Sequence, residues 1–266
     1  MCSQAEQQDL IAVAAELAMA ARLATLRHFR SAGLSSDNKG SGNFDPVTIA
    51  DRESEDAMRA ILDKRRPNDG ILGEERKAKA SQSGLTWVLD PIDGTKAFLA
   101  GLPTWGVLIA LSDENGPLYG VIDQPYIQER FEGGFGRAIV KGPMGEVPLK
   151  TRAARPLDEA TIMTTFPEVG SELDGQAFHR LAKSCRLTRY GGDCYAYAMV
   201  AAGQIDLVVE AGLQAYDVQA PIAVITAAGG IVTDWKGQPA HRGGRILAAA
   251  NRNIHAAALD LLNSTA

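Results

Sequence analysis

Apolar residues recur with a helical period over the first thirty positions of the chain, with charged residues between them. One face would carry Leu10, Val13, Leu17, Ala21 and Ala24. Apolar residues spaced three or four positions apart line one side of an α-helix. The pattern therefore predicts an amphipathic first helix, and Gly33 is its expected end.

A loop and a second helix follow, and the pattern then becomes strand-like. Residues 35–43 are rich in Ser, Gly, Asn and Asp and predict a loop, and a second helix is predicted from Asp51 to just before Pro67. Short apolar runs with β-branched residues predict strands at 71–72, 87–89, 106–111 and 118–122. The turn-forming segment 112–117 joins the last two, so we expect an antiparallel hairpin and a sheet that is not purely parallel.

The second half of the chain alternates strands and helices. A basic segment between Pro148 and Pro156 is poor in large apolar residues and predicts a join, which gives sub-domains 1–150 and 151–266. Strands are predicted at 160–165, 205–209, 230–233 and 245–249, and helices at 176–184, 194–202, 218–228 and 254–262. This order indicates a layered α/β fold with mixed sheets.

Composition narrows the class of protein. The 266 residues are 45% hydrophobic and 22% charged, as in ordinary globular proteins. A formal net charge of -5 argues against a nucleic-acid-binding face and favours a small-molecule partner. Three cysteines without C-x-x-C spacing indicate free thiols, and the scattered histidines are expected mostly at the surface. No signal peptide or membrane span is predicted, so the expected location is the cytoplasm.

One apolar run ends abruptly in two carboxylates. The strand predicted at 87–89 is followed by Asp90 and Asp93, and then by Gly94 and Thr95 at the start of a helix-compatible segment. Carboxylate oxygens suit Mg²⁺, and backbone N–H groups at such a turn suit an anion such as phosphate. A helix cap at Asp90 and a polar turn at Asp93 would explain the same residues without any chemistry.

Two further acidic segments weigh against this simpler explanation. Glu74 follows a short apolar run, and Asp217 lies at the start of a predicted helix, downstream of Glu210. Each alone is typical of a solvated face or a helix cap. Their combination with Asp90 and Asp93 predicts a metal centre that binds a phosphate ester.

At this point the chain resembles the inositol monophosphatase superfamily of Mg²⁺-dependent, Li⁺-sensitive phosphomonoesterases. The resemblance covers nearly the whole chain and is carried by four ordered blocks: DPVTIAD at 45–51, GEE at 73–75, WVLDPIDGT at 87–95, and YD at 216–217 followed by AAGG at 227–230. It implies an αβαβα sandwich and a homodimer. Tyr216 and Gln219 depart from the usual pattern, and whether Lys39 is the loop lysine of many members stays open.

The resemblance also implies roles for individual residues. Glu74, Asp90 and the carbonyl of Ile92 would hold a first metal, and Asp90, Asp93 and Asp217 a second. Gly94 and Thr95 would bind phosphate, and Asp51 would support the site. Two or three Mg²⁺ ions, which Mn²⁺ can replace, would then activate a water that Glu74 and Thr95 orient for in-line attack on phosphorus.

Within the superfamily, the segments 101–106, 123–125 and 189–197 resemble the histidinol-phosphatase branch. Asp193, Glu210 and Asp93 are the predicted substrate-binding residues. Because histidinol carries an ammonium and an imidazole, extra carboxylates would favour it over neutral inositol. For Asp193, a cap on the helix predicted at 194–202 is an equally good explanation.

Other functions stay open as alternatives. Inositol 1-phosphate is the second candidate substrate, followed by fructose bisphosphate and 3′-phosphoadenosine nucleotides. A different class is a non-catalytic regulator that keeps the fold. Such a protein is expected to have lost a ligand among Glu74, Asp90, Asp93 and Asp217, or to have lost Thr95, and all five are present.

Overall fold

The structure is a computed structural model that describes residues 3–32, 34–38 and 46–264. Its first two helices, α1 (Gln4–His28) and α2 (Ile49–Arg65), pack against each other. The predicted apolar face of α1 is buried. Gly33 as the end of α1 is wrong, because the helix ends at His28. Phe29 leaves the helix to pack against Phe98 and Trp105 in a separate aromatic cluster.

The start of α2 is set by a capping box rather than by Asp51 alone. Thr48 is the N-cap, its hydroxyl accepts from the N–H of Ala50, and Asp51 accepts from the N–H of Thr48. The loop predicted at 35–43 is only partly right. A short strand, β1 (Ser36–Asn38), pairs antiparallel with β2 (Pro46–Thr48), and residues 39–43, including Lys39, lie outside the described residues.

Within the described residues, the first large sheet has seven strands in sequence order. They are β3 (Gly70–Gly73), β4 (Thr86–Asp93), β5 (Gly106–Asp113), β6 (Gly116–Gln124), β7 (Glu129–Gly134), β8 (Arg137–Gly142) and β9 (Gly145–Pro148). β3 and β4 are parallel and the other neighbours antiparallel, so the predicted hairpin is confirmed. Strands β7, β8 and β9 were not predicted from the sequence. The last two of these are half-buried or exposed and lack a continuous apolar run.

The second large sheet has five strands among the described residues, in the order β11-β10-β12-β14-β13. These strands are β10 (Thr161–Thr164), β11 (Leu187–Tyr190), β12 (Leu207–Leu213), β13 (Ile231–Thr233) and β14 (Gly244–Ala249). The remaining helices are α3 (Thr95–Leu99), α4 (Glu172–Lys183), α5 (Asp193–Ala201), α6 (Ala215–Ala227) and α7 (Arg252–Asn263). The edge strand β11 is largely exposed and lacks an apolar run, so the sequence pattern did not predict it.

Successive side chains of each large sheet pack against helices on opposite faces, so the two sheets belong to a five-layer sandwich. On β4, Trp87 and Leu89 pack against α1 and α2, whereas Val88 faces α5 and α6. On β12, Val208 faces the same central helices, and its neighbours Leu207 and Val209 pack against α4 and α7. Because successive strand residues point to opposite faces, each sheet is covered by helices on both sides. The αβαβα architecture is confirmed.

The central helix α6 lies directly on the first sheet. A β-carbon at Gly120 would lie 2.5 Å from the carbonyl oxygen of Ala220, and one at Gly133 would lie 2.4 Å from the α-carbon of Val224. Only glycine allows backbones to approach so closely. The two glycines therefore set the depth at which α6 carries Asp217 towards the end of β4.

The first sheet ends at Pro148 and the second begins at Thr161, and the division into two sub-domains at residue 150 stays a prediction. One histidine departs from the expected surface position: His255 is buried, and its ring bonds the hydroxyl of Thr233. Among the residues that the structure describes, no helix combines the length and apolar character that crossing a membrane requires.

Candidate metal and phosphate site

The end of strand β4 presents two carboxylates into the space between the sheets. Asp90 Oδ1 accepts a hydrogen bond of 3.0 Å from the N–H of Ile92, which closes a tight turn at Pro91. The pairing with β5 shifts register between Asp90 and Asp93. A bulge re-aims side chains that would otherwise alternate between faces, so both carboxylates can serve one site.

The third carboxylate comes from the start of α6. Asp217 closes a capping box with Gln214, whose N–H donates to Asp217 Oδ2 at 2.6 Å. Oxygens of Asp90, Asp93 and Asp217 all lie within 4.8 Å of one another. Residues more than a hundred positions apart therefore form one oxygen cluster, of the kind that hard cations such as Mg²⁺ bind.

Glu74 joins the cluster because β3 runs parallel to β4. Gly73 pairs with Leu89, so the next residues along the two strands, Glu74 and Asp90, fall beside each other. Glu74 raises the pKa of Asp90 by its charge and by a side-chain hydrogen bond. Glu74 also raises the pKa of Asp217.

Helix α2 holds this segment in place through Glu55. That carboxylate is fully buried and accepts a 2.7 Å hydrogen bond from the N–H of Glu75. Its other oxygen binds the guanidinium of Arg59 at 2.7 Å. A β-carbon at Gly73 would lie 2.1 Å from Glu55 Oε1, so a larger residue there would displace the Glu55 carboxylate. Glu55 was not predicted from the sequence, although it lies one helical turn after Asp51 and thus on the same face of α2.

The electrostatics of the cluster call for a cation. Burial is the main cause that raises the pKa of Asp90 and of Asp93 well above the ordinary value, and neighbouring carboxylates add to it. The same causes raise the pKa of Asp217 to about 7. Buried like charges this close cannot all stay ionised without a compensating positive charge. The donor set is all oxygen, which fits Mg²⁺ rather than a softer metal.

Asp51 lies beside this cluster rather than within it. Both the N–H and the hydroxyl of Thr48 donate to its Oδ2, at 2.8 and 2.6 Å. Its buried Oδ1 has no hydrogen-bond partner among the described residues. Burial raises the pKa of Asp51 to about 6, and the charges of Glu75 and Glu74 contribute. One oxygen of Asp51 thus serves the capping box of α2, and the supporting role predicted for Asp51 stays a prediction.

Gly94 and Thr95 form the turn from β4 into α3. Gly94 adopts the left-handed conformation, with φ 81°, and Thr95 donates its hydroxyl to the carbonyl of Ile92 at 3.1 Å. That carbonyl is the predicted backbone ligand of the first metal. The turn therefore places the predicted phosphate-binding residues next to the predicted metal ligands.

A cavity of about 340 Å³ opens in front of these residues. Its wall includes six of the predicted site residues: Asp93, Gly94, Thr95, Asp193, Glu210 and Asp217. Lys96, Phe166 and Glu168 also line it. Glu74, Asp90, Ile92 and Asp51 are not among its lining residues, so the cavity opens beside Asp93 and Asp217 and not beside those four residues.

The cap explanation for Asp193 is wrong. Gly192 is the N-cap of α5, and the N–H of Cys194 donates to Asp93 Oδ2 at 2.6 Å. The Asp193 carboxylate instead accepts a hydrogen bond of 2.7 Å from the hydroxyl of Thr104. Asp193 also has φ 44°, an uncommon value outside glycine. Its carboxylate is thus free of the helix end and lies on the cavity wall.

Glu210 lines the cavity but is held by three protein donors. Its Oε1 accepts from the N–H and the hydroxyl of Thr165, at 3.0 and 2.5 Å, and its Oε2 accepts from the hydroxyl of Tyr197 at 3.0 Å. Burial raises the pKa of Glu210, and these hydrogen bonds lower it. No local sequence pattern pointed to Thr165 or Tyr197 as its partners.

The unusual residue Gln219 does not enter the site. Its amide nitrogen donates to the backbone carbonyl of His241 at 2.9 Å, and its amide oxygen accepts from the hydroxyl of Ser112. The side chain therefore ties α6 to strand β5 and to the loop before β14. This departure from the usual pattern removes no predicted ligand.

Comparison with known proteins agrees with the geometry. The model of the inositol monophosphatase family matches residues 6–265. The chain is 39% identical over 231 residues to the bifunctional phosphatase IMPL2, chloroplastic, of Arabidopsis thaliana, which covers 83% of this chain and 66% of that protein. It is 33% identical over 252 residues to a histidinol-phosphatase of Chlorobaculum parvum, covering 92% of this chain and 95% of the relative.

A solved structure of an inositol monophosphatase from Zymomonas mobilis superposes with a TM-score of 0.86 at 38% identity. The superposition covers 99% of this chain and 100% of that one. The family consists of phosphatases that depend on a metal, typically Mg²⁺, which fits the acidic cluster of Asp90, Asp93 and Asp217. The chain therefore belongs to the inositol monophosphatase family.

Proposed function

We propose that the chain is a Mg²⁺-dependent phosphomonoesterase that hydrolyses a small phosphorylated metabolite, with histidinol phosphate as its preferred substrate. The observation that carries the substrate choice is the carboxylate of Asp193, which lies on the cavity wall and is not used as a helix cap. Glu210 and Asp93 add two further carboxyl groups to the same wall. A leaving group with an ammonium and an imidazole complements this charge better than a neutral polyol does.

Different residues of the chain would bind the metal ions, bind the phosphate and orient the attacking water. Glu74, Asp90, Asp93, Asp217 and the carbonyl of Ile92 would hold the metal ions. When bound, Mg²⁺ supplies a Lewis acid and lowers the pKa of water. Gly94 and Thr95 would hold the phosphate, and Glu74 and Thr95 would orient the attacking water opposite the leaving group. The 340 Å³ cavity would receive that group and exclude bulk water from it.

Inositol 1-phosphate is the second candidate. Its support is the structural similarity to the Zymomonas mobilis inositol monophosphatase, which is as close in identity as the plant bifunctional phosphatase. The remoter alternative, a non-catalytic regulator, is disfavoured because the sequence has lost none of the predicted ligands. A homodimer, Li⁺ sensitivity and a cytoplasmic location stay predictions.

The first experiment is phosphate release from a substrate panel with Mg²⁺, repeated with EDTA and with Li⁺. Histidinol phosphate should be hydrolysed with the highest kcat/KM, and EDTA should abolish release. Release from no ester would favour the non-catalytic regulator. A higher kcat/KM for inositol 1-phosphate would replace the preferred substrate and leave the reaction class unchanged.

The second experiment tests the charge argument with Asp193→Asn. Asparagine keeps the size of the side chain, an acceptor for Thr104 and tolerance of a positive φ, but it removes the charge. The preference for histidinol phosphate over inositol 1-phosphate should fall at least about tenfold, as expected for loss of a charge-assisted contact. Glu168→Gln is the matched control, since it removes a carboxylate from the exposed rim of the same cavity. An equal effect of both variants would rule out a specific contact at Asp193.

A further inference from the structure

The Asp193 carboxylate is positioned by a residue from a distant part of the chain. Thr104 lies in the loop between α3 and β5, and its hydroxyl donates to Asp193 Oδ2 at 2.7 Å. Asp193 lines the cavity, whereas Thr104 is half-buried and is not among the cavity-lining residues. Thr104 therefore lies behind Asp193, out of reach of a substrate in the cavity.

The other sides of Asp193 are also confined. Its backbone has φ 44°, a conformation that non-glycine residues keep only when their surroundings hold it. A β-carbon on Gly94 would lie 2.8 Å from Asp193 Cγ, so the carboxyl group packs closely over the phosphate-binding turn. The N–H that follows Asp193 is bound to Asp93. Backbone and side chain are thus both held, and Thr104 is the hydrogen-bond donor that orients the carboxylate.

Because the donor to the Asp193 carboxylate is the hydroxyl of Thr104, it brings no positive charge to that carboxylate. An arginine or lysine in the place of Thr104 would neutralise Asp193, whereas a hydroxyl orients a carboxylate and leaves its negative charge available. Burial raises the pKa of Asp193, and the hydrogen bond from Thr104 and the charge of Lys96 oppose that rise without cancelling it. With Oδ2 engaged by Thr104, Oδ1 is the oxygen left for a cation.

We propose that Thr104 is a positioning residue for substrate specificity: it holds Asp193 so that one carboxylate oxygen faces the cationic part of the leaving group. The inference rests on the proposed phosphatase function and deepens it. Thr104 is predicted to touch neither phosphate nor metal. Its loss should therefore affect binding of a cationic substrate and leave the reaction at phosphorus unchanged.

The test compares Thr104→Val with Thr104→Ser. Valine has the same shape but no donor, whereas serine keeps the donor. With Thr104→Val, KM for histidinol phosphate should rise about tenfold at nearly constant kcat, as for loss of a hydrogen bond to a charged group. KM for inositol 1-phosphate should change by less than about twofold. Thr104→Ser should restore most of the preference.

A second readout avoids catalysis. Binding of free histidinol, measured by calorimetry in the presence of Mg²⁺ and inorganic phosphate, should weaken by the same factor in Thr104→Val and recover in Thr104→Ser. Equal losses for both esters, or unchanged histidinol binding in Thr104→Val, would overturn the positioning role while leaving the phosphatase assignment intact. Absence of Mg²⁺-dependent phosphate release from the unaltered protein would overturn the proposed function, and this inference with it.

Discussion

Replacing Glu55 tests whether this buried carboxylate holds the segment that carries the predicted metal ligand Glu74. Its carboxylate is fully buried, receives the N–H of Glu75 and pairs with Arg59, so it fixes the segment that carries Glu74. In Glu55→Gln the amide keeps one acceptor and gains a donor. Whichever way the amide lies, its NH₂ group faces either the N–H of Glu75 or the guanidinium of Arg59. One of two charge-assisted hydrogen bonds is therefore lost.

The expected changes in Tm and in metal affinity for Glu55→Gln follow from these contacts. A hydrogen bond to a charged group contributes about 1.5–3 kcal/mol, and each kcal/mol lowers Tm by roughly 2–4 °C in a protein of this size. Residues that orient metal ligands typically change metal affinity by about 10- to 100-fold when replaced. We therefore expect Glu55→Gln to weaken metal binding by about tenfold or more and to lower Tm by several degrees.

The assay is direct titration with Mn²⁺, with the free ion followed by electron paramagnetic resonance, and thermal unfolding on the same samples. Glu53→Gln is the matched control: it makes the same chemical change on the same helix, but Glu53 pairs with Arg27 and His28 and is 37% exposed. The control should bind Mn²⁺ like the unaltered protein. If Glu55→Gln loses stability yet binds Mn²⁺ with unchanged affinity, Glu55 supports only the fold, and the reasoning about Glu74 is wrong.

Two further predictions concern the cluster itself. Asp90→Asn should abolish turnover at ordinary Mg²⁺ with Tm unchanged or raised, because it removes a buried charge next to Glu74, Asp93 and Asp217; near-normal phosphate release would contradict the ligand assignment. Because burial raises the pKa of Asp217 to about 7 and those of Asp90 and Asp93 well above their ordinary value, Mg²⁺ binding at pH 7 should displace protons. Calorimetry in buffers of different ionisation enthalpy measures that release. Without Mg²⁺, the raised pKa of Asp217 favours the folded state below pH 3.8, and this contribution should be lost as pH rises through about 7. A Tm of the metal-free protein that rises over this interval, or binding without proton release, would refute the electrostatic argument.

Local patterns predicted most elements, and their failures share a cause. Buried strands such as β4 and β5 carry continuous apolar runs, so they were found, whereas β8, β9 and β11 lie at sheet edges or in partly exposed positions and lack that signal. The end of α1 was misjudged because the packing of Phe29 in an aromatic cluster, rather than a local stop signal, ends the helix. At such helix ends, tertiary contacts override the local helix propensity.

The residue types of the site were visible in the sequence, since acids directly after apolar runs and at helix starts stand out. Their partners were not visible. Thr104 and Asp193, Glu210 and Thr165, and Glu55 and Glu75 are joined by contacts between distant segments. No local pattern records such a pair.

The sequence by itself determined the layered α/β class, the family resemblance and the set of carboxylates, because these depend on periodicity and on residue type at the ends of strands and helices. Only the tertiary structure decided which carboxylates share a cluster and what each remaining oxygen faces. Asp193 shows the difference: by position it is a natural helix cap, yet Asp93 takes the N–H of Cys194 and Thr104 takes the carboxylate. A hydrogen bond depends on distances of about 3 Å, and packing of the whole chain decides which groups meet at that distance.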